Sequence, residues 1–264
     1  MIPNGIVVPL DGSEFAERAV PVAAELATRL DARLVLMTAG WLDDHRTADD
    51  YLREIGATVS GVDIEVVVRD EFHPPTAIRA VVADRPGSMV CMTTHGRGGV
   101  RWAILGSVAE DLLAASPEPV LLVGPRCWPD WSSSRGGVML CHDGSPVTGT
   151  VLHAACEFAR AFEQQVTITT VIHPLDVEDA EQPQHLFTDI EAAITGSGLV
   201  PHASLLRSSY PAGAIVDAAE ELPASMIVMA TLGRTGLARA VVGSVTMGVL
   251  NLAPCPVLAR STHP

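Results

Sequence analysis

Two kinds of short segment, each present twice, carry the residues best suited to chemistry. Asp11-Gly12-Ser13 and Asp143-Gly144-Ser145 each follow an apolar run. Gly96 and the pair Gly106-Ser107 are separated by nine residues, and Gly233 and Gly243-Ser244 repeat that spacing. Glycine lets a backbone approach a ligand closely. A Gly-Ser pair opening a helix presents unpaired N–H groups, a hydroxyl and the positive end of the helix dipole, which together attract an anion. A nearby aspartate can accept hydrogen bonds from sugar hydroxyls or reach a phosphate-bound Mg²⁺. Arg97 and Arg234 follow the loop glycines and suit phosphate bridging, although a solvated loop arginine fits equally well. Taken singly, Asp-Gly-Ser is also a turn with an N-cap. Its recurrence with the glycine loop in both copies favours a ligand role.

The rest of the composition narrows the chemistry by exclusion. All seventeen basic residues are arginine. Without lysine there is no Walker A phosphate loop, no protein-kinase lysine and no Schiff-base or pyridoxal enzyme. The net charge is −14, and the parts before and after Ser134–Arg135 carry −8 (11 Arg, 19 acids) and −6 (6 Arg, 12 acids). With aromatics at 4%, this uniformly acidic chain offers neither a basic stripe nor a stacking platform for nucleic acid. Cys91, Cys127, Cys141, Cys156 and Cys255 form no C-x-x-C pair, so buried reduced thiols are expected. His95 and His142 each adjoin a candidate loop, but the other copy has Leu232 and Leu10 there, which argues against a shared histidine chemistry. No Ser-His-Asp or Cys-His arrangement recurs, so no catalytic residue is assigned. No apolar run reaches the ~18 residues of a membrane span. The first residues lack a basic signal-peptide region, and a cytoplasmic location without membrane partners is expected.

The elements that must position these loops are legible from the repeat. Ile6–Ser13 recurs as Val138–Ser145 at an offset of 132, whereas the segments from Ser88 to Leu121 recur at 137. The second copy therefore carries a net insertion between its first and fourth strands. The expected units are residues 1–126, a linker at 127–136 and residues 137–264. Each copy alternates apolar runs with helical patterns, which predicts an α/β fold with two tandem open five-stranded parallel sheets and helices on both faces. In the first copy the spacing predicts strands at 6–10, 34–38, 64–68, 89–92 and 120–123. Helices are expected at 14–30, kinked at Pro21 and capped by Ser13 or Asp11, and at 44–58, 75–82 and 107–115. If strands one and four are neighbours, both loops meet in the crevice beyond their carboxyl ends.

On these residues the chain resembles a tandem universal stress protein, twice and over nearly its whole length. The nucleotide-binding members of that family carry G-x2-G-x9-G-[ST] after strand four and an aspartate after strand one. The resemblance implies a Rossmann-like sheet of order 3-2-1-4-5 with ATP and Mg²⁺ at its carboxyl edge. The nucleotide-binding set it implies is Pro9, Asp11, Ala39, Thr93, Gly96, Arg97, Gly106, Ser107 and Val108 in the first copy. In the second it is Asp143, Val171, Ala230, Gly233, Arg234, Gly243, Ser244, Val245 and Thr246. The chain departs from the motif where Thr93 and Ala230 replace its first glycine. Ala109 stands where Thr246 offers a hydroxyl, which makes the second copy the better match. The expected role is a nucleotide-dependent stress regulator whose two domains pack as an intramolecular pseudo-dimer and whose chains form a homodimer, with at most slow ATP hydrolysis. Another adenine nucleotide, such as AMP or cyclic AMP, stays open. The alternatives are a scaffold with decayed sites, joined through its fifth strands, and a weak ATPase.

Overall fold

Five short runs per repeat, each flanked by turn residues, become strands; the central ones are apolar and buried on both faces of a parallel sheet, while the edge ones at 64–69 and 201–207 are only partly buried. The first repeat supplies β1 (Gly5–Pro9), β2 (Arg33–Ala39), β3 (Ile64–Arg69), β4 (Ser88–Thr93) and β5 (Val120–Val123). The second supplies β6 (Gly137–Cys141), β7 (Val166–Ile172), β8 (Pro201–Arg207), β9 (Ala224–Ala230) and β10 (Val257–Arg260). The computed structural model describes residues 2–40, 47–71, 73–96, 105–175, 183–231 and 242–261.

Within each repeat the strands are parallel and ordered 3-2-1-4-5, with β1 between β2 and β4 and β6 between β7 and β9. The two sheets do not stay separate. β5 and β10 pair antiparallel, with Leu121 opposite Leu258, and join the halves into one ten-stranded sheet. Both fifth strands are thus used within the chain, so the edge that a scaffold would offer to a second copy is already occupied.

The helices follow local rules. In the first repeat they are α1 (Glu14–Glu17), α2 (Ala19–Leu30), α3 (Ala48–Ala57), α4 (Pro74–Ala83) and α5 (Ser107–Ala115). In the second they are α6 (Gly149–Ala161), α7 (Thr188–Gly196), α8 (Pro211–Glu221) and α9 (Ser244–Leu252). The expected helix at 14–30 breaks at Arg18 and not at Pro21. Proline lacks an N–H for the Glu17 carbonyl and its ring crowds that carbonyl, so the chain restarts at Ala19 with Pro21 in the new first turn. Ser13 is the cap, its Oγ accepting from Ala16 N at 3.1 Å. α3 starts at Ala48 behind a Thr47 cap; residues 44–46 of the expected helix lie outside the described residues. Proline opens both α4 and α8, where its missing N–H costs nothing.

The core is a continuous apolar layer on both sides of the sheet, including Ile6, Leu34, Leu36, Leu121, Leu140, Ile227 and Leu258. The segment between the repeats is tied to both of them. Glu25 of α2 accepts from Ser132 Oγ at 2.9 Å and from Ser133 N and Oγ at 2.5 and 2.7 Å. Arg18 donates to the carbonyls of Pro125 and Cys127. On the other side Trp131 Nε1 donates to the Ser225 carbonyl at 2.8 Å. No helix among the described residues is long and apolar enough to cross a membrane.

Candidate functional site

Each half has a crevice where the strand order reverses, between the carboxyl ends of β1 and β4 and again between those of β6 and β9. The loops after β1 and β6 are built alike. Gly12 and Gly144 sit at φ 83° and 81°, which only glycine adopts readily. Asp11 Oδ1 accepts from Ser13 N at 3.0 Å and Ser13 Oγ at 2.6 Å. Asp143 Oδ1 accepts from Ser145 N at 3.1 Å and Ser145 Oγ at 2.5 Å. These turns hold the aspartates at the strand ends.

The glycine loops arrive from the neighbouring strand. Gly106 N donates to Thr94 O at 2.8 Å, and Gly243 N to Thr231 O at 2.7 Å. A β-carbon on Gly106 would stand 3.1 Å from Thr94 O, and one on Gly243 3.0 Å from Thr231 O. Both glycines are N-caps without a side-chain cap, which leaves the first N–H groups of α5 and α9 to the crevice. A β-carbon on Gly96 would fall on Asp11 Oδ2, so any side chain there requires the Asp11 carboxylate to shift. Thr93, at the first position of the glycine motif, turns its hydroxyl back to donate to His95 O at 2.6 Å. It braces the loop.

The second half encloses a cavity of about 380 Å³. Asp143, Val171, Ala230, Gly243, Ser244, Val245 and Thr246 all line it, so seven residues of the expected set come together. Thr246 Oγ1 donates to Ala230 O and Thr231 O, both at 3.3 Å, so its hydroxyl is engaged with the strand end. In the first half, Pro9 and Ala39 end β1 and β2, while Ser107 and Val108 open α5. Arg97, Gly233 and Arg234 lie outside the described residues.

The two halves differ in electrostatics. α5 carries Glu110 in its first turn, which opposes an anion at the helix dipole, whereas α9 has no acid there. Beside Asp11 stand Glu17 and Tyr51, whose hydroxyl donates to Glu17 Oε1 at 2.9 Å. Burial and these carboxylates push the Tyr51 phenol well above its ordinary range. Gly149 occupies the position of Glu17 in the second half.

Sequence reasoning sets His142 aside, yet this side chain lines the second cavity, with Nδ1 2.7 Å from Thr148 Oγ1. The signal lay in the difference between the copies, where Leu10 and Ala16 stand in place of His142 and Thr148. Burial holds the imidazole below its usual range despite the opposing pull of Asp143. The unfolded chain then takes a proton near pH 6.5 that the folded chain resists. Stability is full above that pH and falls as pH drops toward the folded value. The double variant His142→Leu/Thr148→Ala, which copies the first repeat, is expected to flatten this slope. Urea unfolding between pH 5 and 8 checks it, and an unchanged slope would acquit His142.

Cys141 also faces the cavity, but burial pushes its thiol up to about 12, so it is no nucleophile at neutral pH. All five cysteines are free. Among the described residues no cluster of three His, Cys, Asp or Glu side chains is placed to hold a metal ion.

The family model described as the Universal stress protein family matches residues 4–124 and again 136–259. The chain belongs to the universal stress protein family. A universal stress protein of Mycobacterium tuberculosis (strain ATCC 25618 / H37Rv) is 28% identical over 289 residues, covering 97% of this chain and 96% of that one. Universal stress protein E of Escherichia coli (strain K12) is 24% identical over 250 residues, covering 88% and 76%. Among solved structures, a universal stress protein from Archaeoglobus fulgidus superposes with a TM-score of 0.71 at 20% identity, covering 99% of each chain. A protein of unknown function from Pseudomonas aeruginosa gives 0.70 at 17%, covering 98% of this chain and 92% of that one. At these identities the solved structures speak for a shared fold. The family's α/β architecture, twice in tandem, is that of the ten-stranded sheet.

Proposed function

We propose that this universal stress protein binds an adenine nucleotide, ATP with Mg²⁺, at the carboxyl edge of its half-sheets, as a nucleotide-dependent regulator in the cytosol. One observation carries the reading. The cavity of the second half joins three features in one space: the uncapped N-terminus of α9, the Asp143 loop and the apolar wall of Val171 and Ile215. The helix end suits phosphates, the aspartate suits ribose hydroxyls and the apolar wall suits a base. Mg²⁺ would enter as counter-ion of the phosphates, with Asp143 as the protein ligand within reach. The first half has the same plan with more negative charge around it, so the second half is the stronger site. A signal would require nucleotide to favour one of two conformations or assemblies, including a homodimer.

The test is calorimetric titration of the nucleotide-stripped protein with MgATP. The expected result is a strong site in the second half and a weaker one in the first. Gly243→Val crowds the Thr231 carbonyl and displaces the helix start, so it should weaken the strong site about tenfold or more, the equivalent of one charge-assisted hydrogen bond. Absence of heat, with no displacement of AMP or cyclic AMP, would overturn the reading.

A further inference from the structure

The ten-stranded sheet ends in two homologous strands, β3 at one edge and β8 at the other. Register equates them residue by residue. Ile6 pairs with Leu34 and Leu34 with Ile64, as Val138 pairs with Val166 and Val166 with Pro201. An edge strand leaves a row of N–H and C=O groups open, and charged side chains are a usual guard against pairing with another chain. The two edges differ in that guard. The β3 edge carries Asp63, Glu65, Arg69, Asp70 and Glu71, and ion pairs to Arg33, Arg85 and Asp84 hold three of them. The β8 edge has Val200, His202, Leu206, Arg207 and Ser208 at the same positions. No acid occurs from Ala192 to Val216, in a chain of net charge −14.

The hydrogen bonds of β7 show which groups of β8 are left open. Ser208 N donates to Ile172 O at 3.1 Å, toward β7. Successive residues of a strand turn their N–H and C=O groups to opposite sides, so Ala203, Leu205 and Arg207 turn theirs outward. Among the described residues no strand pairs on that side. Pro201 belongs to the same outward set and has no N–H to expose, which is where an edge strand tolerates proline. Both ends of β8 are flanked by exposed apolar side chains, Val200 at 71% and Tyr210 at 57%.

We infer that β8 receives a second copy of this chain, the two β8 strands pairing antiparallel about a two-fold axis at Leu205 so that one sheet runs through both copies. This register pairs Leu205 with its own counterpart and Ala203 with Arg207 of the second copy. It uses every outward N–H and C=O of Ala203, Leu205 and Arg207, leaves Pro201 outside the ladder and brings Val200 opposite Tyr210 at both ends. No like charges meet, since Ser204 faces Leu206 and His202 faces Ser208. The same register on β3, centred on Val68, would set Glu65 against Glu71 twice and is repelled. Three observations favour a second copy as the occupant. The edge is self-complementary in this register. It is free of acid, so two strongly anionic chains can approach there. The chain already joins its own halves by antiparallel pairing of homologous edge strands, β5 with β10.

The experiment is sedimentation equilibrium of the full chain at rising concentration, with and without MgATP. The wild-type chain is expected to dimerise. Ala203 is exposed, so its variants should fold as the wild type does, which circular dichroism checks. Ala203→Lys sets a cation against Arg207 of the second copy at both contacts and should weaken the dimer about tenfold or more. Ala203→Glu sets an anion there and should keep or tighten it. Val68→Lys, on the opposite edge of the sheet, should leave the dimer unchanged. A chain that stays monomeric to millimolar concentration, with and without nucleotide, would overturn the inference. So would a dimer that Ala203→Lys and Ala203→Glu affect alike. The pairing uses neither crevice, so it is read by mass whatever the calorimetry with MgATP shows, and the failure of one reading leaves the other standing.

Discussion

Replacing Trp131 by alanine is expected to remove about 3–5 kcal/mol of stability, the range for deleting a buried aromatic ring. Trp131 is 7% exposed, in the segment between the repeats. Its indole fills the space beside β9, and its Nε1 hydrogen bond to Ser225 O is buried, so truncation leaves both a void and an unpaired carbonyl. On the same segment Trp128 N donates to Pro254 O, and Gln164 Nε2 donates to Ser133 O at 2.5 Å. The α2 side is held by Glu25 and Arg18. The segment therefore behaves as a wedge shared by both halves. Thermal and urea unfolding should show a Tm lower by roughly 6–15 °C, with one transition separating into two as the halves uncouple. Trp131→Phe keeps most of the volume and loses the donor, so it should cost about 1–3 kcal/mol. A Trp131→Ala effect below about 1 kcal/mol would show that the segment is a passive tether.

Gly96→Ala is expected to disable the first crevice while leaving the second intact. The new methyl would occupy the space of the Asp11 carboxylate. That carboxylate cannot simply turn away, because Oδ1 is held by Ser13 N and Oγ, and Ser13 Oγ in turn caps α1. Yielding would break a chain of linked hydrogen bonds worth about 1–3 kcal/mol, and if that cost falls on binding it corresponds to a loss of affinity of about fivefold or more. Titration with MgATP should show the weaker site vanish and the stronger one persist. Retention of both sites at wild-type affinity would mean that Asp11 does not contribute to binding.

Much of this architecture is written locally. Runs such as Ile6-Val7-Val8 and Leu121-Leu122-Val123 are too short for helices and too apolar for loops, so strands follow. Ser107–Ala115 and Val120–Val123 form at the expected bounds because Gly106, Ser116 and Pro117 punctuate them. The break at Arg18 shows the limit of a local rule, since a proline acts on the residue four positions earlier and so disrupts the turn before it. The β5–β10 pairing was implied by the resemblance alone, because an apolar run records its burial and not its neighbour. For the site, the recurring aspartates and glycines pointed to the crevice. The polar floor of the second cavity emerged only when the register brought His142, Thr148, Thr169 and Thr231 to one wall. Comparing the copies for what they share finds the common plan, and comparing them for what they do not share finds the specialisation.

The antiparallel seam between β5 and β10 sets a rule for any signal that the molecule sends. Strands of one half run opposite to those of the other, so the two carboxyl edges face opposite rims of a single sheet. No ligand can bridge the two crevices, and a partner that reads both must grip the molecule from two sides. A partner that reads only one rim meets the Asp11 crevice or the Asp143 crevice, never both, so the tandem chain presents two distinct addresses to its surroundings.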